Sequence, residues 1–415
     1  MKVALVSKSD AQGGGASRVA DDLHVGFQGR PGITTRRYVG HVPAEGSSAD
    51  YEPIVSRALR AYQRLRSAAE RRGYIDHFPL ELIGLNPGIR KADVIHCHDL
   101  STAFAPSGLL LLSYFKSIAW TLHDLSPITG GCIYPLGCGR YREACGCCPL
   151  LGEWPLPGHA DRTSEMARWR RKVLASGRLK LIAPSQWMRQ QVLQGHPDAN
   201  IDVIYNGVDI RTFHPRPKRA FSPRDDRLKV LFVANYFHEV RKGGLYIPEI
   251  VAWLNQTNRE MRLVVAGNTG DQGVVEMGPL EMVLVGHVGS KADLVELYGT
   301  VDAMLVLSHA DNCPLVVLEA LACGVPSFAF ATGGIPELIS AECGGVRDPG
   351  DIGRLLGHLF EIAEGGRLPE LGAAARDRAE RLFSVEHCLD RHADLYRRLA
   401  ERHAKTAKNG HEQDL

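Results

Sequence analysis

Short runs of apolar and β-branched residues alternate with helical patterns along the whole chain, and this alternation limits the fold more than any other feature. The predicted strands span Val3–Ser7, Val94–His98, Ile118–His123, Leu179–Ala183 and Val203–Tyr205 in the first half, and Val230–Ala234, Leu263–Ala266, Met282–Val285, Ala303–Leu307 and Ser327–Phe330 in the second. Continuous apolar strands separated by helices are typical of parallel sheets covered on both faces. The predicted class is therefore α/β, with two doubly wound, Rossmann-like domains.

The boundary between the two predicted domains lies in a proline-rich, charged stretch. A length of 415 residues suits two domains. The stretch runs from His214–Lys218 to Ser222–Asp226 and has no apolar period, as expected of a linker. We predict domains at residues 1–215 and 216–384, with a final helix over 385–403 that crosses back to the first domain.

Charge and hydropathy exclude some classes of partner. The net charge of +2 gives no reason to expect nucleic-acid binding. The chain opens without a signal-peptide pattern and has no apolar segment long enough to span a bilayer, so we expect a cytoplasmic protein. An arginine-rich segment near residues 57–72 is either a solvated helix face or a peripheral contact with an anionic membrane.

The segment after the predicted strand Ala303–Leu307 carries the densest set of candidate site residues. Asp311 or Asn312 is suited to cap the following helix, Leu315–Cys323, and Pro314 fits its first turn. Asp311 also stands at the carboxyl end of a strand, where open α/β sheets bind ligands. It is therefore either a cap alone or part of a binding site.

Glu319 is an acid within an otherwise apolar helix face. A helix that is apolar all round is normally buried, and a buried carboxylate needs hydrogen-bond donors or a counter-ion. Ribose hydroxyls are suitable donors, whereas the structural alternative is a pair with a neighbouring arginine.

Two further turns follow strands and could meet a phosphate. Arg241 and Lys242 form a basic turn after the first strand of the second half. Two fixed cations would stabilise a diphosphate leaving group, although an isolated basic turn is often only solvated. In the first half, a glycine-rich turn opens a helix and would let backbone N–H groups approach an anion, but it does not match a dinucleotide fingerprint. It contains Gly13, Gly14 and Gly15.

Two histidines also end predicted strands. His98 and His123 are plausible site residues in these positions, although a single strand-end histidine is more often structural.

Taken together, these motifs resemble the donor-site signature of retaining glycosyltransferases of family 4. The resemblance rests on Asp311 and Glu319, eight positions apart, and on the later turn Gly333–Glu337. It implies the GT-B fold, in which two Rossmann-like domains face a cleft, and transfer of a sugar from a UDP- or GDP-linked donor to an unidentified acceptor. It implies no metal at the chemistry. It assigns catalytic roles to His123 and Asp311, donor contacts to Gly13, Gly14, Gly15, Arg241, Lys242, Asn312, Leu315 and Glu319, and an acceptor-side place to His98.

Other functions of such a fold stay open at this stage. One alternative is a different GT-B activity, such as a sugar-nucleotide epimerase or a phosphorylase. Another is a non-catalytic binding protein.

Five of the ten cysteines crowd between Cys132 and Cys148. Cys132, Cys138, Cys145 and Cys148 are separated by five, six and two residues, and the closing Cys-x-x-Cys suits a structural zinc site. Reduced thiols and disulfides are the alternatives. A branch of family 4 carries a similar insertion, and this resemblance implies that the segment shapes acceptor binding. The other cysteines are expected to be small buried residues: Cys97, Cys313, Cys323, Cys343 and Cys388.

Overall fold

The computed structural model describes residues 1–10, 13–40, 51–54, 85–100, 106–153, 155–156, 160–217, 227–236, 240–270 and 272–412. The arginine-rich segment near 57–72 lies outside these ranges, as does the linker portion 218–226. By their internal contacts the residues form two compact units, Met1–Tyr205 with Cys388–Leu415, and Asn206–His387. In the described ranges no helix is both long enough and apolar enough to cross a membrane.

The first unit is built on a seven-stranded sheet in the order β3-β2-β1-β4-β5-β6-β7. Its strands are β1 Lys2–Ser7, β2 Thr34–Val39, β3 Tyr51–Pro53, β4 Val94–Cys97, β5 Ser117–Thr121, β6 Lys180–Ala183 and β7 Ile201–Val203. Every neighbouring pair is parallel. The interior strand β4 is buried at every position because helices cover both faces, as its continuous apolar sequence predicts.

The second unit has a seven-stranded sheet of its own, in the order β10-β11-β9-β8-β12-β13-β14. Its strands are β8 Leu228–Tyr236, β9 Met261–Asn268, β10 Gly273–Met277, β11 Leu280–Gly286, β12 Ala303–Val306, β13 Ser327–Phe330 and β14 Gly344–Arg347. All pairs are parallel except β10 with β11, which is antiparallel. The prediction of two parallel sheets is therefore confirmed, apart from this edge hairpin.

Helices connect the strands in both units. Those of the first unit are α1 Gly15–Phe27, α2 Pro87–Arg90, α3 Pro106–Leu112, α4 Thr163–Ala175 and α5 Gln186–Gly195. Those that follow are α6 Ile247–Thr257, α7 Lys291–Tyr298, α8 Leu315–Ala322, α9 Ile335–Leu338, α10 Ile352–Glu364, α11 Leu368–Leu382 and α12 Val385–Glu412. The αβ alternation brings the carboxyl ends of the parallel strands to one edge of each sheet.

The sequence-based strand assignment missed the edge strands β3, β10 and β14, and also β2, which lies next to the edge. The edge strand β10 is exposed at nearly every position, so it lacks the continuous apolar run used to find strands. The predicted strand Val203–Tyr205 is observed as β7 two residues earlier, at Ile201–Val203. The α/β class itself depends on the buried interior strands, which the apolar pattern located.

Candidate functional site

The basic turn of the second unit is fixed against the end of strand β12. After β8 the chain makes a short 3₁₀ turn, Val240–Lys242, and Gly243 follows with a φ of +87°. A Cβ atom at Gly243 would lie 2.3 Å from the carbonyl oxygen of Leu307, so only glycine allows this approach. The His309 N–H also donates to the Arg241 carbonyl at 2.8 Å.

This arrangement brings both cations to Asp311. Lys242 Nζ lies 2.7 Å from Asp311 Oδ2, and Arg241 Nη1 lies 3.7 Å from Oδ1. Asp311 is only 9% exposed. Burial by itself would raise the pKa of Asp311, but Lys242 and Arg241 outweigh burial and hold that pKa below its ordinary value. Among these three side chains, two positive charges face one negative charge.

A second glycine packs the next loop onto Asp311. Gly333 has a φ of +56°, and a Cβ atom there would lie 1.7 Å from the Asp311 carbonyl oxygen. The N–H of Gly334 donates to the same carbonyl at 3.2 Å. Thr332 Oγ1 donates to the Ser308 carbonyl at 2.7 Å. The backbone around Asp311 is therefore held from two sides, by the basic turn and by the loop after β13.

The predicted capping of helix α8 is wrong. Pro314 occupies the N-cap position, and no side chain caps the helix. Asp311 stands three residues before that position, and Lys242 engages its carboxylate. Asn312 is buried nearby in the chain, and Leu315 is the partly buried first residue of the helix.

Glu319 is buried in α8, as its apolar surroundings predicted. It is 2% exposed. The hydroxyl of Tyr298 lies 3.3 Å from Glu319 Oε2 and 3.1 Å from the Val316 carbonyl. The hydroxyl has a single proton, which it shares between these two acceptors.

In the first unit, the glycine turn opens helix α1 as predicted. The Gly13 N–H donates to the Asp10 carbonyl at 3.0 Å. Gly14, with a φ of +108°, occupies the N-cap position, and α1 begins at Gly15. No side chain caps α1, and its first turn contains no acid. The amino end of α1 therefore presents backbone N–H groups without a competing carboxylate in that turn.

Sequence reasoning missed Arg37, whose side chain hydrogen-bonds to the backbone on both sides of this turn. Arg37 lies on β2 and is fully buried. Its Nη2 donates to the Ser9 and Ser17 carbonyls, each at 3.3 Å, so that one guanidinium bridges both ends of the turn. The only signal in the sequence was an arginine pair inside a β-branched run, and exposed edge strands often carry such pairs.

The two predicted site histidines contact each other. His98 follows β4 and His123 follows β5, and their Nδ1 and Nε2 atoms lie 3.1 Å apart. One ring must donate its N–H to the lone pair of the other if both are neutral. His98 Nε2 is buried without a hydrogen-bond partner.

Two more buried histidines extend this pair into a cluster. His96 Nδ1 lies 2.7 Å from the Tyr396 hydroxyl, and its Nε2 lies 2.7 Å from Thr121 Oγ1. The His392 ring centroid lies 5.4 Å from that of His96. We call His96, His98, His123 and His392 the histidine cluster.

Burial keeps the histidine cluster neutral. Burial, and then the neighbouring imidazoles, lower the pKa of His96 and of His98 far below the ordinary value. Burial lowers the pKa of His123 to about 3 and that of His392 to about 4. These side chains therefore act as neutral donors and acceptors near pH 7.

The residue after His123 was also missed as a candidate. Burial raises the pKa of Asp124 to about 6, and the nearby Asp99 raises it further, against hydrogen bonds from Ser126 and the charge of Arg170. A carboxyl group with a pKa near neutrality can exchange a proton at working pH. An acid directly after a strand-end histidine was the available signal.

The structure thus assembles two groups of predicted residues. Arg241, Lys242 and Asp311 meet in the second unit, and His98 and His123 meet in the first. The catalytic, donor and acceptor roles assigned to individual residues stay predictions. The cysteines predicted to hold zinc belong to the first unit, and all ten cysteines, which the described residues include, are thiols rather than disulfides. The five cysteines outside the crowded segment are buried, as predicted.

Comparison with known proteins agrees with this architecture. The family model for glycosyltransferase family 4 matches residues 13–212, and the model for glycosyl transferases group 1 matches residues 227–363. The chain is 25% identical over 300 residues to WcaC, a colanic acid biosynthesis glycosyl transferase of Escherichia coli, which covers 68% of this chain and 69% of that protein. It is also 30% identical over 240 residues to D-inositol 3-phosphate glycosyltransferase of Mycobacterium bovis. The aligned residues are 53% of this chain and 48% of that protein, so the match spans about half the length of the relative.

A solved structure extends the match across nearly the whole chain. HepE of Anabaena, in complex with UDP, superposes with a TM-score of 0.63 at 16% identity and covers 95% of this chain and 99% of that chain. At this identity the match concerns the fold. The family 4 model matches most of the first unit, and the group 1 model matches residues of the second unit. The two models therefore follow each other along the chain in the expected order. The chain therefore belongs to the glycosyltransferases of family 4 and has their GT-B fold.

Proposed function

We propose that this protein transfers a hexosyl group, with retention of the anomeric configuration, from a nucleotide-sugar donor to a hydroxyl group of an acceptor. The second unit binds the donor in this proposal. The observation that carries it is the contact of Lys242 and Arg241 with Asp311 at the carboxyl edge of the second sheet.

The charge balance of this group suits a diphosphate. Breaking the bond between the sugar and the nucleotide leaves negative charge on the nucleoside diphosphate, and fixed cations lower the energy of that charge. Asp311 orients both cations. No side chain has to reorganise to present positive charge, because Gly243 and Gly333 already fix the backbone on either side.

Glu319 completes the donor site in the proposal. Each carboxylate oxygen accepts more than one hydrogen bond, so the buried Glu319 would also accept hydrogen bonds from hydroxyl groups such as those of a ribose. Asp311 and Asn312 would contact the transferred sugar, and Leu315 would pack beside it. UDP is bound by the structurally similar HepE, which supports a UDP-linked donor here.

The first unit would supply the remaining contacts. His123, as a neutral imidazole, and the backbone N–H groups of the turn Gly13, Gly14 and Gly15 would lie beside the transferred group and the donor. His98 would lie on the acceptor side, where a neutral imidazole suits sugar hydroxyls. The name of WcaC, a relative in colanic acid biosynthesis, supports a polysaccharide or a related glycan as the acceptor.

The proposal is tested by measuring donor binding and transfer separately. A thermal-shift panel of UDP- and GDP-sugars identifies the donor, and release of nucleoside diphosphate is then measured with and without an acceptor. We expect release to depend on the acceptor, and the anomeric configuration of the product to match that of the donor by NMR. An epimerase would convert the donor without an acceptor.

A matched variant separates the donor site from general charge effects. Lys242→Ala should abolish the thermal shift, whereas Arg354→Ala should not, because Arg354 is an 81% exposed arginine of the same unit. If no nucleotide-sugar stabilises the wild-type protein, the transferase proposal fails and a non-catalytic binding protein is favoured.

Three other expectations stay predictions and have their own tests. We expect transfer to proceed in EDTA, because protein cations would do the work of a divalent metal. We expect a cytoplasmic location. The peripheral membrane contact near residues 57–72 lies outside the described residues and can be tested by binding to anionic vesicles.

A further inference from the structure

Four cysteines of the first unit line one pocket. Cys132, Cys138, Cys145 and Cys148 form its walls together with Tyr141 and other residues of the same segment. These four cysteines share one pocket, although they span seventeen positions of sequence.

The backbone that carries these cysteines is strained in the left-handed region. Cys145, Gly146 and Cys147 have consecutive φ angles of +52°, +96° and +46°. Leu136 and Gly137, just before Cys138, have φ angles of +45° and +91°. Residues with side chains adopt this conformation only where surrounding contacts impose it, and such strain concentrates at ligand sites.

Hydrogen bonds fix the backbone around the pocket. The Gly130 N–H donates to Cys145 Sγ at 3.2 Å. Arg140 donates from Nη1 to the Gly146 and Cys147 carbonyls, at 3.1 and 2.8 Å, and so holds the turn that carries Cys145 and Cys148. Hydrogen bonds of this kind orient the ligands of metal sites.

The free thiols are not yet in a metal-binding arrangement. Across the described ranges, no group of three or more His, Cys, Asp or Glu side chains is positioned to hold a metal ion. However, a cysteine sulfur moves among three staggered positions by rotation about one bond. All four cysteines line one pocket, so a shared metal site requires their side chains to turn towards that pocket.

We propose that Cys132, Cys138, Cys145 and Cys148 bind one structural Zn²⁺ ion as four thiolates. Each thiol loses its proton when it binds, and the protons go to solvent. Tetrahedral coordination by sulfur alone is typical of zinc, and four protein ligands leave no open position for substrate. The ion therefore fixes the segment after β5 and takes no part in sugar transfer, so this proposal is independent of the proposed function.

The fifth cysteine of the segment provides a matched control. Cys147 is exposed and does not line the pocket. It belongs to the same strained turn as Cys145, so a serine there tests whether any thiol in the turn affects the metal.

The experiment measures zinc in untagged protein purified under reducing conditions. Elemental analysis should give about one zinc per chain for the wild type and for Cys147→Ser. Cys132→Ser, Cys138→Ser, Cys145→Ser and Cys148→Ser should each lose most of the zinc. Zinc below a tenth of an equivalent in the wild type, iron in its place, or an equal loss in Cys147→Ser would overturn the proposal.

A second measurement applies if the serine variants do not fold. Stepwise addition of an organomercurial to the wild-type protein should release zinc in proportion to the thiols modified. Cobalt bound in place of zinc should show thiolate-to-metal charge-transfer absorption. Release of zinc before any thiol reacts, or cobalt binding without that absorption, would rule out cysteine ligands.

Discussion

The titratable groups at the carboxyl edges of the two sheets have opposite charge states: neutral in the first unit and ionised in the second. In the first unit, His98 and His123 contact each other and burial keeps both neutral. In the second unit, Asp311 is also buried but stays ionised because Lys242 and Arg241 face it. The comparison shows that the partner, and not the depth of burial, decides whether a buried group keeps its charge.

This difference in charge matches the roles of the two units in the proposed function. An edge with two fixed cations suits an anionic donor. An edge with neutral imidazoles suits hydroxyl groups, which need both donors and acceptors but no counter-charge. The following predictions test this contrast.

The largest effect is expected from Lys242. Removing one fixed donor to a developing negative charge lowers the catalytic rate by about 100- to 1000-fold, and we expect a loss of this size in kcat/KM for Lys242→Ala. Lys242→Arg keeps the charge at Asp311 and should retain more activity. Nucleoside diphosphate release gives both values. A loss below about threefold for Lys242→Ala would contradict the assignment.

The next effect concerns the buried acid of the second unit. Glu319→Gln removes a charged acceptor, and hydrogen bonds to charged groups contribute about 1.5–3 kcal/mol, so nucleotide binding should weaken by about 10- to 100-fold. Calorimetric titration with the identified nucleotide measures this. Tyr298→Phe is the control, because it removes the protein donor at 3.3 Å and keeps the carboxylate. Similar weakening in both variants would argue for a structural role of the pair.

A smaller effect, on the free energy of unfolding, is expected from two glycines. Comparing them distinguishes the cost of backbone crowding from the cost of a left-handed conformation. Gly333 and Gly270 both have left-handed φ angles, but only Gly333 is crowded, by the Asp311 carbonyl. Gly270→Ala should cost about 1–2 kcal/mol of unfolding free energy from strain alone. Gly333→Ala should cost about 1–3 kcal/mol more, because the backbone at Asp311 must also shift. Denaturant titration compares the two, and equal costs would show that the loop does not press on Asp311.

The smallest effect near neutral pH is expected in the histidine cluster. The unfolded chain binds a proton at each histidine near pH 6.5, whereas folded His123 and His392 do so only near pH 3 and 4. Their contribution to stability is therefore complete above pH 6.5 and is lost as pH falls from there towards 4. The unfolding constant should rise by up to about tenfold per pH unit for each such histidine.

Chemical denaturation at pH 7.5, 6.5 and 5.5 measures this slope. His392→Gln should reduce the proton uptake on unfolding by about one. An unchanged slope in His392→Gln would mean that His392 is already charged in the folded protein.

The sequence alone determined the features that depend on local patterns. Continuous apolar runs located β1, β4 and β5 to within one or two residues at each end, because an interior parallel strand is buried on both faces. The glycine turn before α1 and the burial of Glu319 were also correct. The motifs identified the family because residues within one turn and one helix keep their spacing in any context.

Only the tertiary structure decided which side chains meet. The contact of Lys242 with Asp311 joins residues 69 positions apart, and the bridge from Arg37 to Ser9 joins residues 28 apart. Edge strands such as β10, and the cap of α8, were misjudged for the same reason. Their conformations depend on neighbours that are distant in the sequence, and local propensity carries no information about those neighbours.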